Sequence, residues 1–446
     1  MSYKTYPEYK NSNNIWAGKI PIHWEIHKIK NLIFFQEGPG LRNWQFTDDG
    51  VRVICVTNIT SNGIDFSNYE KFISEDEYKQ TYSHFTVDQG DLLLSSSGNS
   101  WGKVAEYTDD ETVILNTSTI RINKNPTSDY ELKQPYIKWA LQSEYIREQL
   151  GLMMTGSCQP NFGPTHLAKV SILMPTIKEQ QQIANYLDKK TAKIDETIAK
   201  NERLIELLEE KRTALINQVV TKGLNPDVPM KDSGVEWIGE IPEHWVVINL
   251  KKCCEKITDG SHFSPETTSE GKYYITVRNV LDDKIDFKNA SKISLEDYKA
   301  LKNNGCEPKK GDVLLSKDGT IGKCIIVNET NFVILSSLGL LRPNHLINSK
   351  YLRYYLLSDI NIKQMLSNIR GSAIKRLTIN IIKELLLILP SCDEQKAINN
   401  YLDPKVDKIN NTIKNVQKNI NLLEEYKTSL IHHVVTGKID VRGEEI

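Results

Sequence analysis

Two glycine-rich stretches, GNSWGK at 98–103 and DGTIGK at 318–323, come nearest to a catalytic motif in this 446-residue sequence. A phosphate-binding loop needs widely spaced glycines whose backbone N–H groups cradle the phosphates, a lysine, and a Ser or Thr for magnesium. Here the glycines are too close, and Val104 and Cys324 stand where the hydroxyl belongs. Both stretches therefore read as turns between strands. The sequence has no His-Glu-x-x-His and no dinucleotide fingerprint. It also lacks the Asn-Pro-Pro-aromatic tetrapeptide that an adenine methyltransferase needs, since its two Asn-Pro pairs continue as Thr127 and Asp227. The seven cysteines include one adjacent pair, Cys253-Cys254, and no CxxC, which argues against a zinc site and fits a reducing cytosol. His23 and His244 each lie between a proline turn and a tryptophan, in IPIHW and IPEHW, and read as packed histidines rather than acid–base catalysts.

The bulk chemistry is equally reserved. With 56 basic and 57 acidic residues the formal net charge is −1, so any basic patch is local. No apolar run of about 18 residues predicts a membrane span. The start, MSYKTYPEYKNSNN, has no apolar signal core. A cytoplasmic protein without membrane partners is expected.

What must position any functional residue is a duplication. WAGKIPIHW at 16–24 and WIGEIPEHW at 237–245 lie 221 positions apart. The offset persists through ICVTNI and ITVRNV, GIDF and KIDF, and GDLLLS and GDVLLS. A six-residue surplus in the first copy then lowers it to 215, which aligns EQ at 179–180 with 394–395, YLD with YLD, LLEE with LLEE and VVT with VVT. Such a unit is far too long for a solenoid repeat. It implies two similar domains related by a pseudo-twofold axis.

In each copy, short β-rich runs and turns are followed by a helical half. Thr176-x-x-Glu179 and Ser391-x-x-Glu394 form capping boxes, in which the hydroxyl accepts from a free N–H and the Glu reaches back to the cap. Beyond them a 4–3 seam runs through Leu187, Thr191, Ile194, Ile198, Asn201, Ile205, Leu208, Arg212, Leu215 and Val219. It recurs 215 residues later from Leu402 to Val434, with Lys427 matching Arg212. Sustained over four heptads, this spacing signals a coiled coil, about 42 residues and about 63 Å long. The expected fold class is α+β: two mixed α/β globular domains joined by two long antiparallel coiled-coil helices. The expected boundaries are 1–172 and 173–222 for the first domain and helix, then 223–387 for linker and second domain, and 388–446 for the second helix and tail. The tail TGKIDVRG resembles the start of the linker, so the C-terminus is expected to return near the N-terminus.

The doubled I-P-x-H-W, the P-x-x-x-E-Q-x-x-I helix start, the heptad helix and the Val-Val-Thr close resemble the specificity subunit of type I restriction–modification systems, across about 6–440. The resemblance implies that each globular part is a target-recognition domain reading one half of a split site in double-stranded DNA, with the helices as spacer and docking surface. It implies two modification subunits, which carry S-adenosylmethionine and methylate adenine N6, and restriction subunits that use ATP and magnesium. This chain itself would hold no cofactor and catalyse nothing. A protein-only coiled-coil adaptor and an enzyme with an unrecognised site are the alternatives.

On that resemblance, base readout needs donors and acceptors on loops, beside cations that hold phosphate. In the first domain these are Gly38, Gly40, Arg42, Asn43 and Trp44, then Ser97, Asn99 and Lys103, and Gln159 and Asn161. In the second they are Asp259, Ser261 and His262, then Lys317 and Lys323, and Lys375 and Arg376. The copies differ most in these loops, which implies two different half-sites. Trp16, Trp24, Trp237 and Trp245 are expected to be structural anchors.

Overall fold

The computed structural model describes residues 3–60, 63–154, 160–281, 284–367 and 376–444. The chain divides into two compact units: Met1–Asn201 with Lys418–Ile446, and Glu202–Gln417. Two helices, Ile177–Lys222 and Cys392–Val435, thus give part of their length to each unit. Among the described residues no helix is long and apolar enough to cross a membrane.

The same scaffold is built twice. In the first unit an antiparallel sheet runs in the order Val104–Glu106, Leu92–Ser95, Thr119–Lys124, Ile33–Glu37. In the second the order is Cys324–Ile326, Val313–Ser316, Leu338–Pro343, Cys254–Asp259. A second sheet contains one parallel pair, Val51–Ile54 with Val113–Leu115, and correspondingly Lys272–Ile275 with Phe332–Ile334. Successive strand side chains point to opposite faces. That is why the runs LLL and VLL are apolar throughout. Leu92 and Leu94 join the core beneath the helices, while Leu93 joins the one under the second sheet. Val313 and Leu315 divide from Leu314 in the same way. GNSWGK and DGTIGK are the turns of the hairpins that pair Leu94 with Val104 and Leu315 with Cys324, as the sequence predicts.

The strand after each His-Trp pairs with the strand that leads into a long helix, Glu25–Lys28 with Ser171–Met174 and Val246–Asn249 with Leu386–Leu389. This brings the doubled motif onto the capping box. Thr176 N donates to Glu179 Oε2 at 3.2 Å, and Glu179 N to Thr176 Oγ1 at 3.4 Å. The same carboxylate lies 2.9 Å from His23 Nε2 and accepts from Trp24 Nε1 at 3.4 Å. In the second unit Glu394 takes Ser391 N at 3.1 Å, His244 Nε2 at 2.7 Å and Trp245 Nε1 at 2.9 Å. The next residue completes the joint. Gln180 Oε1 accepts from Lys133 N, and Gln395 Oε1 from Asn348 N, so each glutamine ties its long helix to the start of a shorter one. Burial alone would raise the Glu394 carboxyl, but the bonds from His244, Trp245 and Ser391 outweigh it and bring it from 4.5 down to about 2. Burial is likewise outweighed at Glu179, chiefly by His23 and Thr176, and its carboxyl is also lowered.

Both histidines are therefore paired with a carboxylate, as expected, but they stand exposed rather than packed. Trp24 and Trp245 are fully buried anchors and Trp16 packs at the edge of the core. Trp237 differs from expectation: it is 45% exposed, although Gly239 takes the same left-handed conformation as Gly18 beside Trp16.

Within the long helices the seam positions are the sheltered ones. Leu187, Thr191, Ile194, Leu402, Val406, Ile409, Val416 and Ile420 are buried between exposed flanks. The two basic seam residues have partners: Lys427 Nζ meets Asp195 at 2.6 Å in the first unit, and Arg212 Nη1 donates to Asn410 Oδ1 at 2.7 Å in the second. The tail returns to the N-terminus, with Asp440 N donating to Lys4 O and Tyr9 OH to Gly437 O. Gly437 and Gly223 end the two helices at φ 68° and 75°, the left-handed conformation that favours glycine there. A Cβ on Gly437 would lie 2.5 Å from Pro21 Cδ, and one on Gly223 3.2 Å from Trp245.

Two measurements test this joint. Trp24→Ala or Trp245→Ala should cost about 3–5 kcal/mol in denaturant unfolding, as removal of a buried aromatic does. The two depressed carboxyls contribute stability that is fully present above the ordinary glutamate pKa and lost as pH falls, for Glu394 down through about 2. Melting temperature should therefore fall between pH 5 and pH 2, and Glu394→Gln should flatten that fall.

Candidate nucleic-acid interface

Four loops converge at one edge of each unit. In the first, Gly38 N donates to Thr119 O, Ser118 N to Glu37 Oε1, Ser96 N to Ser118 O, and Phe162 N to Ser96 O. In the second, Ser336 N donates to Ser261 O, Lys317 N to Ser337 O, and Leu377 N to Lys317 O. The loops are closed by an isolated antiparallel bridge, Ser97 to Asn161 in one unit and Asp318 to Arg376 in the other. One partner follows the offset of 221 and the other that of 215, so the bridge joins the two registers of the duplication.

The structure sorts the residues named from sequence. Arg42, Asn43 and Trp44 stand exposed on a short 3-10 turn, Trp44 at 80%, held by a bond from Arg42 N to Gln45 Oε1. Asn99, Lys103 and Asn161 are exposed, and Gly40 has open space where a side chain would begin. His262 is exposed, 3.1 Å from Asp259. Arg376 is exposed and held side-on by Asp318, Nε to Oδ1 at 2.9 Å and Nη2 to Oδ2 at 3.1 Å. Gln159 and Lys375 lie outside the described residues.

Other residues are turned inward. Lys317 is 3% exposed, its ammonium 3.3 Å from Asp259; a lysine there holds the loops from beneath. Lys323 lines a cavity of about 220 Å³ with Arg212, Arg353, Val406 and Asn410, because its hairpin returns toward the long helices. Ser97 is buried, and Ser261 spends its hydroxyl on a turn with Phe263. Gly38 permits close approach: a Cβ would lie 2.3 Å from Asn116 O, and at Gly260 2.1 Å from Ile334 O.

Sequence reasoning passes over Glu37, Ser118 and Asp318. Asp318 and Glu37 are acidic, and a search for phosphate-binding cations ignores them. Ser118 adopts φ 64°, uncommon for a residue with a side chain, and nothing in its local sequence announces it. Among the described residues no group of three or more His, Cys, Asp or Glu is placed to hold a metal.

Asp259 and Lys317 give a direct test of inward against outward roles. Removing one partner of a buried ion pair costs about 3–5 kcal/mol, whereas an apolar replacement of both is close to neutral. Asp259→Ala should lose roughly that stability on urea unfolding, and Lys317→Met added to it should recover most of the loss.

A family model described as the type I restriction modification DNA specificity domain matches residues 21–209 and again 242–423. The putative type I restriction enzyme MjaX specificity subunit of Methanocaldococcus jannaschii is 27% identical over 444 residues, 97% of each chain. The MjaVIII specificity subunit of the same organism is 24% identical over 449 residues, again 97% of each. A chain solved in work on complex assembly and conformational transition of the type I R-M system shares the fold, with a TM-score of 0.64 at 16% identity over 93% of this chain and 98% of that one. The twofold match, one per unit, places the chain in the type I restriction–modification DNA specificity family, whose members specify a DNA sequence and are not themselves catalytic.

Proposed function

We propose that each unit reads one half of a split, asymmetric DNA target through its loop cluster. The long helices pair as an antiparallel coiled coil that spaces the readers and docks two modification subunits, with restriction subunits joining the larger complex. S-adenosylmethionine belongs to the modification subunits, which methylate adenine N6, and ATP and magnesium to the restriction subunits. The observation that carries this reading is the bridge between loops: the same backbone pairing presents Asn161 beside a buried Ser97 in one unit and Arg376 held by Asp318 in the other. A constant scaffold with exchanged polar side chains is what two readers of different sequences require.

Arg376 is the strongest individual reader. Asp318 binds its Nε and Nη2, which fixes the guanidinium plane and leaves the Nη1–Nη2 edge for guanine O6 and N7. Asn161, Asn99 and Asn43 supply the amide groups that pair with adenine, and Arg42 and Lys103 the cations for phosphate. Gln159 and Lys375 are proposed beside them from the sequence.

The purified chain alone should transfer no methyl group from labelled S-adenosylmethionine, and adding its modification subunit should restore transfer to adenine. In that complex Arg376→Ala should cost about 1–3 kcal/mol at one position of one half-site, while Arg42→Ala should weaken all sequences alike and reduce the salt slope by about 1. Exchanging residues 16–172 for those of a relative should change one half-site only; a change in both would sink independent reading.

The spacer has its own test. Four helix-forming residues inserted between Lys200 and Leu215 lengthen a helix by about 6 Å. With base pairs about 3.4 Å apart, the preferred gap should grow by at most about two base pairs. DNA bending absorbs part of that. Mapping methylated adenines should show the same half-sites at a wider gap; an unchanged gap in an active complex refutes the spacer.

A further inference from the structure

The two helix-capping glutamates differ in what covers them. In the first unit the ring of Tyr6, 3% exposed, packs edge-on to Trp24 at 5.7 Å and tilted to His23 at 5.9 Å. The Arg442 guanidinium lies 4.5 Å over the same ring. Beneath them the Glu179 side chain is 4% exposed. In the second unit the position 221 residues on from Tyr6 is Asp227, exposed on the linker. There the Glu394 side chain is 35% exposed, and His244 is 51% exposed against 36% for His23. In place of a ring is a cavity of about 150 Å³, lined by Val228, Trp245, Ala397 and Ile398 with His244 and Glu394. A cavity of about that volume takes a benzene ring.

We infer that this cavity receives a tyrosine side chain of the modification subunit, seated on Trp245 and His244 as Tyr6 sits on Trp24 and His23. The inference rests on the docking role proposed above. The chain supplies the template for its occupant. Apolar walls and an edge-on indole favour an aromatic ring. Glu394, its side chain 35% exposed, offers a ring hydroxyl an acceptor, a bond that the buried Tyr6 hydroxyl lacks in the first unit, and a basic neighbour would stand where Arg442 stands there. Ala397 is exposed on the opening turns of the helix, so a larger side chain there fills the cavity from the surface without entering the core.

The full chain labelled with 5-fluorotryptophan, titrated with p-cresol as the tyrosine side-chain probe, tests the site. Cresol should shift the Trp245 fluorine signal in the wild type and leave it unmoved in Ala397→Trp. A Tyr6→Ala chain should gain a second responding tryptophan, Trp24. Ala397→Trp, and separately Asp227→Tyr, which supplies the ring from the linker, should each weaken binding of the modification subunit about tenfold or more at unchanged melting temperature. A silent Trp245, or full affinity in a folded variant of either kind, overturns the proposal. Methylation mapping of the assembled complex is read separately. A complex that forms through the cavity but marks no defined site would refute the DNA-reading proposal and leave this one standing.

Discussion

One carboxylate per unit holds the architecture together. Glu179 and Glu394 each close the first turn of a long helix and, with the same carboxylate, take hydrogen bonds from the His and Trp of the doubled motif. A helix start has orphan N–H groups and the positive end of the dipole, so a carboxylate is favoured there. Here that ordinary cap also fixes where the globular part is attached. The adjoining Gln180 and Gln395 extend the joint to a second helix in each unit. These two consecutive side chains fix the start of each long helix, and the shared core and bonds such as Trp139 Nε1 to Asp188 and Tyr354 OH to Asp403 hold the sheets against it.

The sheets carry that position outward to the loops. Because a strand such as Leu92–Ser95 is buried on both faces, its register is specified twice, once by each core. A shift by one residue would carry Asp91 or Ser95 into a place that Leu92 or Leu94 fills. The loops at the strand ends are therefore held to a fixed place while their exposed side chains stay free to differ. Buried ion pairs such as Lys317 with Asp259, and Arg342 with Asp312, serve the same rigidity.

The duplication, the capping boxes and the seam were legible because each is a spacing, and spacing survives in sequence. The change of offset from 221 to 215 falls between the two partners of each bridge, but their pairing appears only in the structure. Which face a loop residue takes was not legible. Lys317 and Lys323 lie on one hairpin, yet the first goes under the loops and the second toward the helices, since the partner that decides, Asp259 or the helix pair, is distant in sequence. Trp237 and Trp245 share one motif with opposite exposure for a similar reason: only Trp245 reaches Glu394. Asp318 escaped because an acidic residue becomes a positioning group only when its cation is seen, and Glu37 because its partner is the backbone N–H of Ser118, distant in sequence.

The chain ends have a consequence for how tightly each joint is closed. Gly223, after the first helix, is covalently continuous with the linker that leads to Trp245. Gly437, after the second helix, meets Trp24 from 413 residues away, whereas Gly223 lies 22 residues before Trp245. Closing a longer loop costs more chain entropy. The extra contacts lie at the longer closure: the Tyr6 ring on Trp24, Arg442 on that ring, Asp440 paired with Arg442, and the backbone bond to Lys4. Side-chain contacts there offset the longer closure, so one joint is entropically tethered and the other adhesive.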